Sequence, residues 1–438
     1  MKRLLLLCLI LPIASTSVIA QEIEKLLRER VNSERNQTSI VVAVVDEQGT
    51  KFFSYGKTAK QATAALSNEN TVFEIGSITK VFTGILLAEA VKRGEVKLED
   101  PISKCLPENV TTPKFNGKEI TLLHLISHTS GLPFKPDNLN PSNFENPYAD
   151  YTVKQMYEFL GKYQLTHNPG SNFEYSNLGV GLLGHILSLR TKTTYENLVK
   201  TRILRPLGMN HTAITLTPKM KANLAVGYNE DGDQTSNWDL PTLAGAGALH
   251  STASDMAKFI SANLGFITTS ISPSLVEAHK LTWVRKKPSK TVLWHGGSTG
   301  GYLSFVVIDT AQKRGVFVVT NSQDSIDDIG FHLIDNSSPL KQIATAKKQI
   351  ILSEEILERY VGEYQIPVLN LTFTITRKGQ RLFLQQTGQA RFGLFAEKET
   401  EFFLKVVEAT ITFTKDENGK VNGLILHQNG DHTGKKIK

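Results

Sequence analysis

Ser77-Ile78-Thr79-Lys80-Val81-Phe82-Thr83-Gly84-Ile85-Leu86-Leu87-Ala88-Glu89-Ala90-Val91-Lys92-Arg93-Gly94 is a largely apolar run closed by two basic residues and a glycine. Basic residues in a last turn with glycine just beyond are helix stop signals, and apolar residues on most sides predict a buried helix. Ser and Lys at i,i+3 share one helix face. The serine stands at the helix N-terminus, where unpaired backbone N–H groups favour developing negative charge. A serine hydroxyl is a poor nucleophile until a neighbouring base takes its proton, and a buried Lys80 of depressed pKa is able to be that base or to polarise it. Alone, the pair reads equally well as a cap on a core helix. Ser-x-x-Lys occurs three times in the chain. Ser54 with Lys57 straddles a strand end and a glycine turn, and Ser338 with Lys341 has a proline between, so neither pair is held facing on one turn.

Two further phrases carry chemistry. Tyr175-Ser176-Asn177 follows Pro169-Gly170 and opens a glycine-rich apolar helix, Leu178 to Leu187. A phenol held near Lys80 can carry a proton as phenolate, and Asn177 can donate to a substrate amide carbonyl; for Tyr175, simple packing is the alternative. Tyr195-Glu196-Asn197, inside a polar helical pattern, serves as a decoy. The third phrase, Trp294-His295-Gly296-Gly297-Ser298-Thr299-Gly300-Gly301-Tyr302, leads into the strand Leu303 to Asp309. Its glycines let a substrate backbone approach a sheet edge. A second His-x-Gly phrase, His432-Thr433-Gly434, lies at what reads as a frayed C-terminus.

With Ser77-Ile78-Thr79-Lys80, Tyr175-Ser176-Asn177 and His295-Gly296-Gly297 in this order, the chain resembles the class C β-lactamase, D-Ala-D-Ala carboxypeptidase and related esterase superfamily. Phe73-Glu74-Ile75-Gly76, His128-Thr129-Ser130-Gly131-Leu132, Leu204-Arg205-Pro206-Leu207-Gly208-Met209 and Gly247-Ala248-Leu249-His250-Ser251-Thr252-Ala253-Ser254-Asp255-Met256 fit the same family, over residues 22 to 325. The resemblance implies that Ser77 is acylated, that Lys80 and Tyr175 share the proton transfers, and that the N–H groups of Ser77 and Ser298 form an oxyanion hole. It implies that Asn177, Gly297 and Ser298 bind substrate and that His295 helps seat a substrate carboxylate or the tetrahedral intermediate. β-Lactamases of this class usually carry Lys-Thr-Gly where this chain has His295-Gly296-Gly297. An imidazole mostly neutral at pH 7 replaces a permanent ammonium, which weakens recognition of a β-lactam carboxylate.

Outward from these motifs, Ser39 to Ser54 reads as strand, turn, strand, and Leu303 to Asp309 with Gly315 to Thr320 as a second pair. Two strand pairs bracketing a helical, loop-rich middle predict one antiparallel sheet assembled from both ends of an α+β domain with a helical subdomain, residues 21–345. From Tyr360 onward short strands dominate: Leu371 to Thr376, Arg381 to Gln385, Phe402 to Val406, Thr410 to Phe413 and Leu424 to His427. They predict a small all-β barrel over 353–438, which with Tyr360-Val361-Gly362-Glu363-Tyr364 and His427-Gln428-Asn429-Gly430 looks like the lipocalin-like appendage of such hydrolases.

Residues 1–20 read as a cleaved signal peptide: Lys2 and Arg3, an apolar run from Leu4 to Ile13, then Val18-Ile19-Ala20. The run is short for a bilayer span, so the expected location is periplasmic or secreted, with no stable membrane span after cleavage. The formal charge of +7, or +5 without Lys2 and Arg3, is spread along the chain and does not read as a nucleic-acid surface. Cys105 alone would remain, expected in the core and unable to form an intramolecular disulfide. The histidines show no metal spacing, so neither metal nor cofactor is expected. The expected activity is an exported serine acyl hydrolase working through a Ser77 acyl-enzyme on β-lactams or D-aminoacyl cell-wall peptides. A carboxylesterase of the same fold, or a penicillin-binding sensor that acylates without efficient turnover, is the alternative.

Overall fold

The computed structural model describes residues 13–33, 38–287, 289–342, 349–386, 391–405, 407 and 409–438. The first twelve residues of the expected signal peptide lie outside this set, as does the end of the expected strand at Val406. The chain forms two compact units, Met1–Asn229 with Gln234–Ile343, and Glu230–Asp233 with Ala344–Lys438.

The first unit is built on a six-stranded sheet. Its strands are β1 (Ser39–Asp46), β2 (Gly49–Gly56), β3 (Val284–Arg285), β4 (Val292–Ser298), β5 (Leu303–Asp309) and β6 (Arg314–Thr320). They run in the spatial order β2-β1-β6-β5-β4-β3, all pairs antiparallel. The N-terminal hairpin therefore joins the C-terminal one through β1 and β6, registered as Ile40 opposite Thr320 and Val44 opposite Val316. Both faces are buried, because side chains alternate across a strand. Val41, Ala43, Val306, Ile308 and Phe317 enter the main core with the helices. Ile40, Val42, Val44, Phe305 and Val307 pack with Ile23 and Leu27 of α1 (Ile13–Ser33) and with Ile329 and Leu333 of a later helix, Asp327–Ile334. α1 runs without interruption through residue 20.

The helix expected from Ser77 is α2 (Thr79–Lys92), buried throughout from Thr79 to Ala90. Its start differs from the sequence reading: Gly76–Ile78 is a turn of 3-10 helix, and the α-helix begins two residues after the serine. The glycine-rich helix is α3 (Asn177–Thr191), N-capped by Ser176, whose Oγ accepts from Gly179 N at 2.8 Å. It packs on the short helix α4 (Ala244–Gly247). A Cβ on Gly184 would lie 3.0 Å from Gly245 Cα, so the missing side chain lets the two backbones close up. α5 (Ala253–Asn263) and α6 (Ser272–Leu281) complete the cover of the inner sheet face, and α7 (Asp327–Ile334) lies on the other.

The second unit holds a closed barrel of eight strands: β7 (Gly362–Ile366), β8 (Leu371–Lys378), β9 (Arg381–Gln386), β10 (Arg391–Ala396), β11 (Glu401–Phe403), β12 (Thr410–Lys415), β13 (Val421–His427) and β14 (Asp431–Lys436). Each pairs with the next, and β14 returns to β7. Inward residues such as Ile375, Leu384, Ile411 and Leu424 form its core with Tyr360, Tyr364 and Phe413. Three strands were missing from the sequence reading, and one of them corrects it. His432-Thr433-Gly434 is not a frayed end but the middle of β14, paired with β13, while Lys435 and Lys436 pair with β7. Closure demands this strand, since without it β7 and β13 would each expose an unpaired edge.

Candidate active site

The side chains singled out in the sequence meet at one end of α2. The 3-10 turn that presents Ser77 follows Phe73–Glu74, which pairs with His250–Ser251 in a two-residue ladder. Gly76 takes φ +46 and sits against the backbone of Ser298: a Cβ there would lie 2.7 Å from Ser298 N. Gly297 is tighter still, with a hypothetical Cβ 2.1 Å from Ile75 O and 2.4 Å from Ser304 Oγ. Both glycines are thus required for the end of β4 to lie directly on the turn that carries the nucleophile.

Lys80 is buried beneath Ser77. Its Nζ lies 2.8 Å from Ser77 Oγ, 2.7 Å from Asn177 Oδ1 and 2.7 Å from Ala246 O. Burial brings its pKa down from the usual lysine range to about 7. Tyr175 lies beside it, with Nζ 4.9 Å from the ring centroid. Burial raises the Tyr175 phenol to about 12, partly offset by a hydrogen bond with Ser77. The phenol is therefore protonated at neutral pH, and Lys80 rather than a standing phenolate is the group able to accept a proton there. Asn177 spends its carbonyl oxygen on Lys80, which leaves its amide N–H groups as donors.

The sequence reading assigned no role to His128, yet it holds the tyrosine: the two rings stack with centroids 4.3 Å apart. His128 takes φ +57 and accepts from Ser176 N at 3.1 Å through Nδ1. Burial, helped by the Lys80 charge, lowers it to about 3, so the ring is neutral. Its signal was the phrase His128 to Leu132. Glu74 was missed likewise. It is buried, accepts from Asn237 Nδ2 at 2.6 Å and Trp238 N at 2.9 Å, and so ties the strand before the nucleophile to the segment carrying Trp238. Burial pushes its carboxyl up.

These residues border a cleft of about 480 Å³, open at Ser77, Tyr175, Asn177, Gly296, Gly297 and Ser298 and walled by Phe134, Tyr148, Trp238, Trp294 and Phe305. His295 does not line it. The imidazole is buried, contacts Gly296 O through Nδ1 at 2.7 Å, and is lowered to about 4 by burial and by the Lys80 charge. The structure thus gathers Ser77, Lys80, Tyr175, Asn177, Gly297 and Ser298 around one opening and places a neutral His295 behind it. Among the described residues no group of three or more His, Cys, Asp or Glu side chains could hold a metal ion.

The Beta-lactamase family model matches residues 23–334, and a domain of unknown function (DUF3471) matches residues 346–438. A beta-lactamase of Escherichia coli (strain K12) is 34% identical over 265 residues, which span 59% of this chain and 66% of that protein, just under two thirds of its length. The D-alanyl-D-alanine-carboxypeptidase/endopeptidase AmpH of the same strain is 28% identical over 335 residues, 68% of this chain and 86% of that one. The beta-lactamase/D-alanine carboxypeptidase of Yersinia pestis, solved with citrate, shares the fold with a TM-score of 0.62 at 24% identity, covering 70% of this chain and 93% of its own.

Proposed function

The chain belongs to the β-lactamase family and is a serine hydrolase; we propose that it is an exported acyl hydrolase that opens D-aminoacyl amide bonds through an acyl-enzyme on Ser77. One observation carries this reading: the environment of Lys80 Nζ. A neutral amine has two N–H donors and one lone pair. Asn177 Oδ1 and Ala246 O, each 2.7 Å away, accept two hydrogen bonds. The lone pair is left for the Ser77 hydroxyl at 2.8 Å. A pKa of about 7 keeps a large neutral fraction at physiological pH. In acylation Ser77 Oγ bonds to the carbonyl carbon as its proton passes to Lys80. Backbone N–H groups of Ser77 and Ser298 receive the developing oxyanion, and the Asn177 amide donates to the acyl group. When the C–N bond breaks, the leaving nitrogen takes its proton through the Tyr175 hydroxyl from Lys80. Water then attacks the ester along the same route in reverse.

D-Aminoacyl amides are favoured over β-lactams because His295 is neutral and buried, offering no standing positive charge to a β-lactam carboxylate. The same observation supports a carboxylesterase as the second reading. For export, the support is the Lys2-Arg3 start followed by an apolar run, and no helix among the described residues is long and apolar enough to cross a membrane. The test is to incubate the protein and its Ser77→Ala variant with D-alanyl p-nitroanilide, p-nitrophenyl butyrate and nitrocefin, and to trap the adduct for mass spectrometry. Ser77-dependent anilide release with an acylated Ser77 peptide is expected. Full turnover by Ser77→Ala would refute the mechanism. Mature N-termini beginning near Gln21 in an exported fraction test the leader.

A further inference from the structure

The cleft has a charge pattern that the reaction itself does not explain. Among the described residues that line it, none is Lys, Arg or His, and the one ionisable group with a standing charge is Asp327. Asp327 heads α7, where a negative side chain suits the helix N-terminus. Its neighbour Asp328 is engaged elsewhere: Arg30 donates to it at 3.1 Å through Nη1 and at 2.5 Å through Nη2, and Lys341 N at 2.7 Å. Asp327, exposed, accepts from the Ser325 hydroxyl, itself part of the cleft, and has no ion-pair partner among the described residues. Ser325 thus orients the carboxylate without cancelling its charge. Trp294 and Phe305 on the same wall present aromatic rings, which also favour a cation. Lys80 is not among the residues that line the cleft, and its Nζ is held by Ser77, Asn177 and Ala246.

We propose that Asp327 makes the cleft selective for substrates with a free ammonium next to the scissile carbonyl, that is, for an unblocked N-terminal D-residue, and that it disfavours acyl groups carrying a carboxylate. The proposal rests on the acyl-enzyme reading above. An α-ammonium stands two bonds from the carbonyl carbon that Ser77 attacks. It therefore enters the cleft that Ser77 and Asp327 both line. A succinyl or similar acidic cap would place like charge in the same space, where no Lys, Arg or His among the described residues lines the cleft.

The test uses the full chain with three p-nitroanilides of one residue: D-alanine, N-acetyl-D-alanine and N-succinyl-D-alanine. They are cationic, neutral and anionic at the same position. At low salt kcat/KM is expected to fall about tenfold from the first to the second and again to the third. Because the contact is exposed, 0.5 M salt should compress the series to within about threefold. Asp327→Asn should flatten the series and Asp327→Lys should reverse it, with melting temperatures confirming that both variants fold. A wild type that prefers the acetylated or succinylated substrate overturns the proposal, as does an order unchanged by either substitution. Labelling of wild-type Ser77 by a neutral fluorophosphonate separates the two levels. Labelled protein that turns over none of the anilides refutes the substrate class and ammonium selection with it; absence of labelling refutes the acyl-enzyme itself.

Discussion

Replacing Gly297 by alanine should disable the site without unfolding the protein, and the effect can be sized from the structure. The new methyl would lie 2.1 Å from Ile75 O and 2.4 Å from Ser304 Oγ, whereas ordinary contact begins near 3.4 Å. The end of β4 must then move about 1.3 Å from the Ser77 turn, and the hydrogen bond from Ser304 Oγ to Ile75 O, 2.9 Å long, is stretched or lost. Overpacking of this kind costs about 1–3 kcal/mol of stability. A misplacement of about 1 Å at a reacting centre can cost on the order of 100-fold in rate, here by carrying Ser298 N away from the carbonyl oxygen it would receive. Gly296→Ala is the matched control, since its methyl would meet Phe305 Cδ2 and Ser304 O at 3.9 Å, an ordinary contact. The assay is the second-order rate of Ser77 labelling by a fluorophosphonate, with thermal melting alongside. Labelling of Gly297→Ala within about threefold of wild type would refute the claim that this glycine sets the distance between strand and nucleophile; the loss expected is about 100-fold.

If neutral Lys80 is the base, kcat/KM on an uncharged ester rises about tenfold per pH unit below 7 and levels above it, because the protonated amine has no lone pair to offer; a flat profile from pH 5 to 9 would exclude it. Lys80→Arg, which stays protonated, should lose at least about 1000-fold in acylation rate by the same chemistry. Tyr175→Phe retains the ring that stacks on His128 but removes the proton carrier, so the melting temperature should hold while turnover falls roughly 100-fold or more; unchanged turnover would remove Tyr175 from the mechanism. Asp328→Ala removes a carboxylate that pairs with fully buried Arg30, which should cost on the order of 1–3 kcal/mol; chemical denaturation checks this, and a loss below about 0.5 kcal/mol would mean that the remaining contacts of the guanidinium compensate for it.

Much of this molecule was legible before its structure. The hairpin at Ser39, the strands after Leu303 and the helix after Ser77 all appear where their patterns put them, because each is dominated by a continuous apolar run with local stop signals. The failures have a shared physical cause. β14 carries Asp431, His432, Thr433, Gly434, Lys435 and Lys436, a polar run with little strand signal; it is ordered by the two strand edges it joins, which lie elsewhere in the chain. That His295 helps seat a substrate is what the family resemblance implies, and no local pattern tells how far the ring stands from the cleft. Its burial, and hence its neutrality, depends on what packs over the strand. Phe134, Tyr148 and Trp238, which form part of the cleft wall, sit in loops whose conformation no periodicity marks.

By itself the sequence determined which groups can react and their local spacing. Ser77 and Lys80 share a face because backbone geometry repeats every few residues, and that geometry needs no distant partner. Only the tertiary structure decided what those groups are at neutral pH. Lys80 is an amine near pH 7 because the fold buries it, and its lone pair meets Ser77 because its other acceptors are supplied from 97 and 166 residues away. Charge state and direction are properties of an environment, and this one is assembled from segments whose meeting no local pattern encodes.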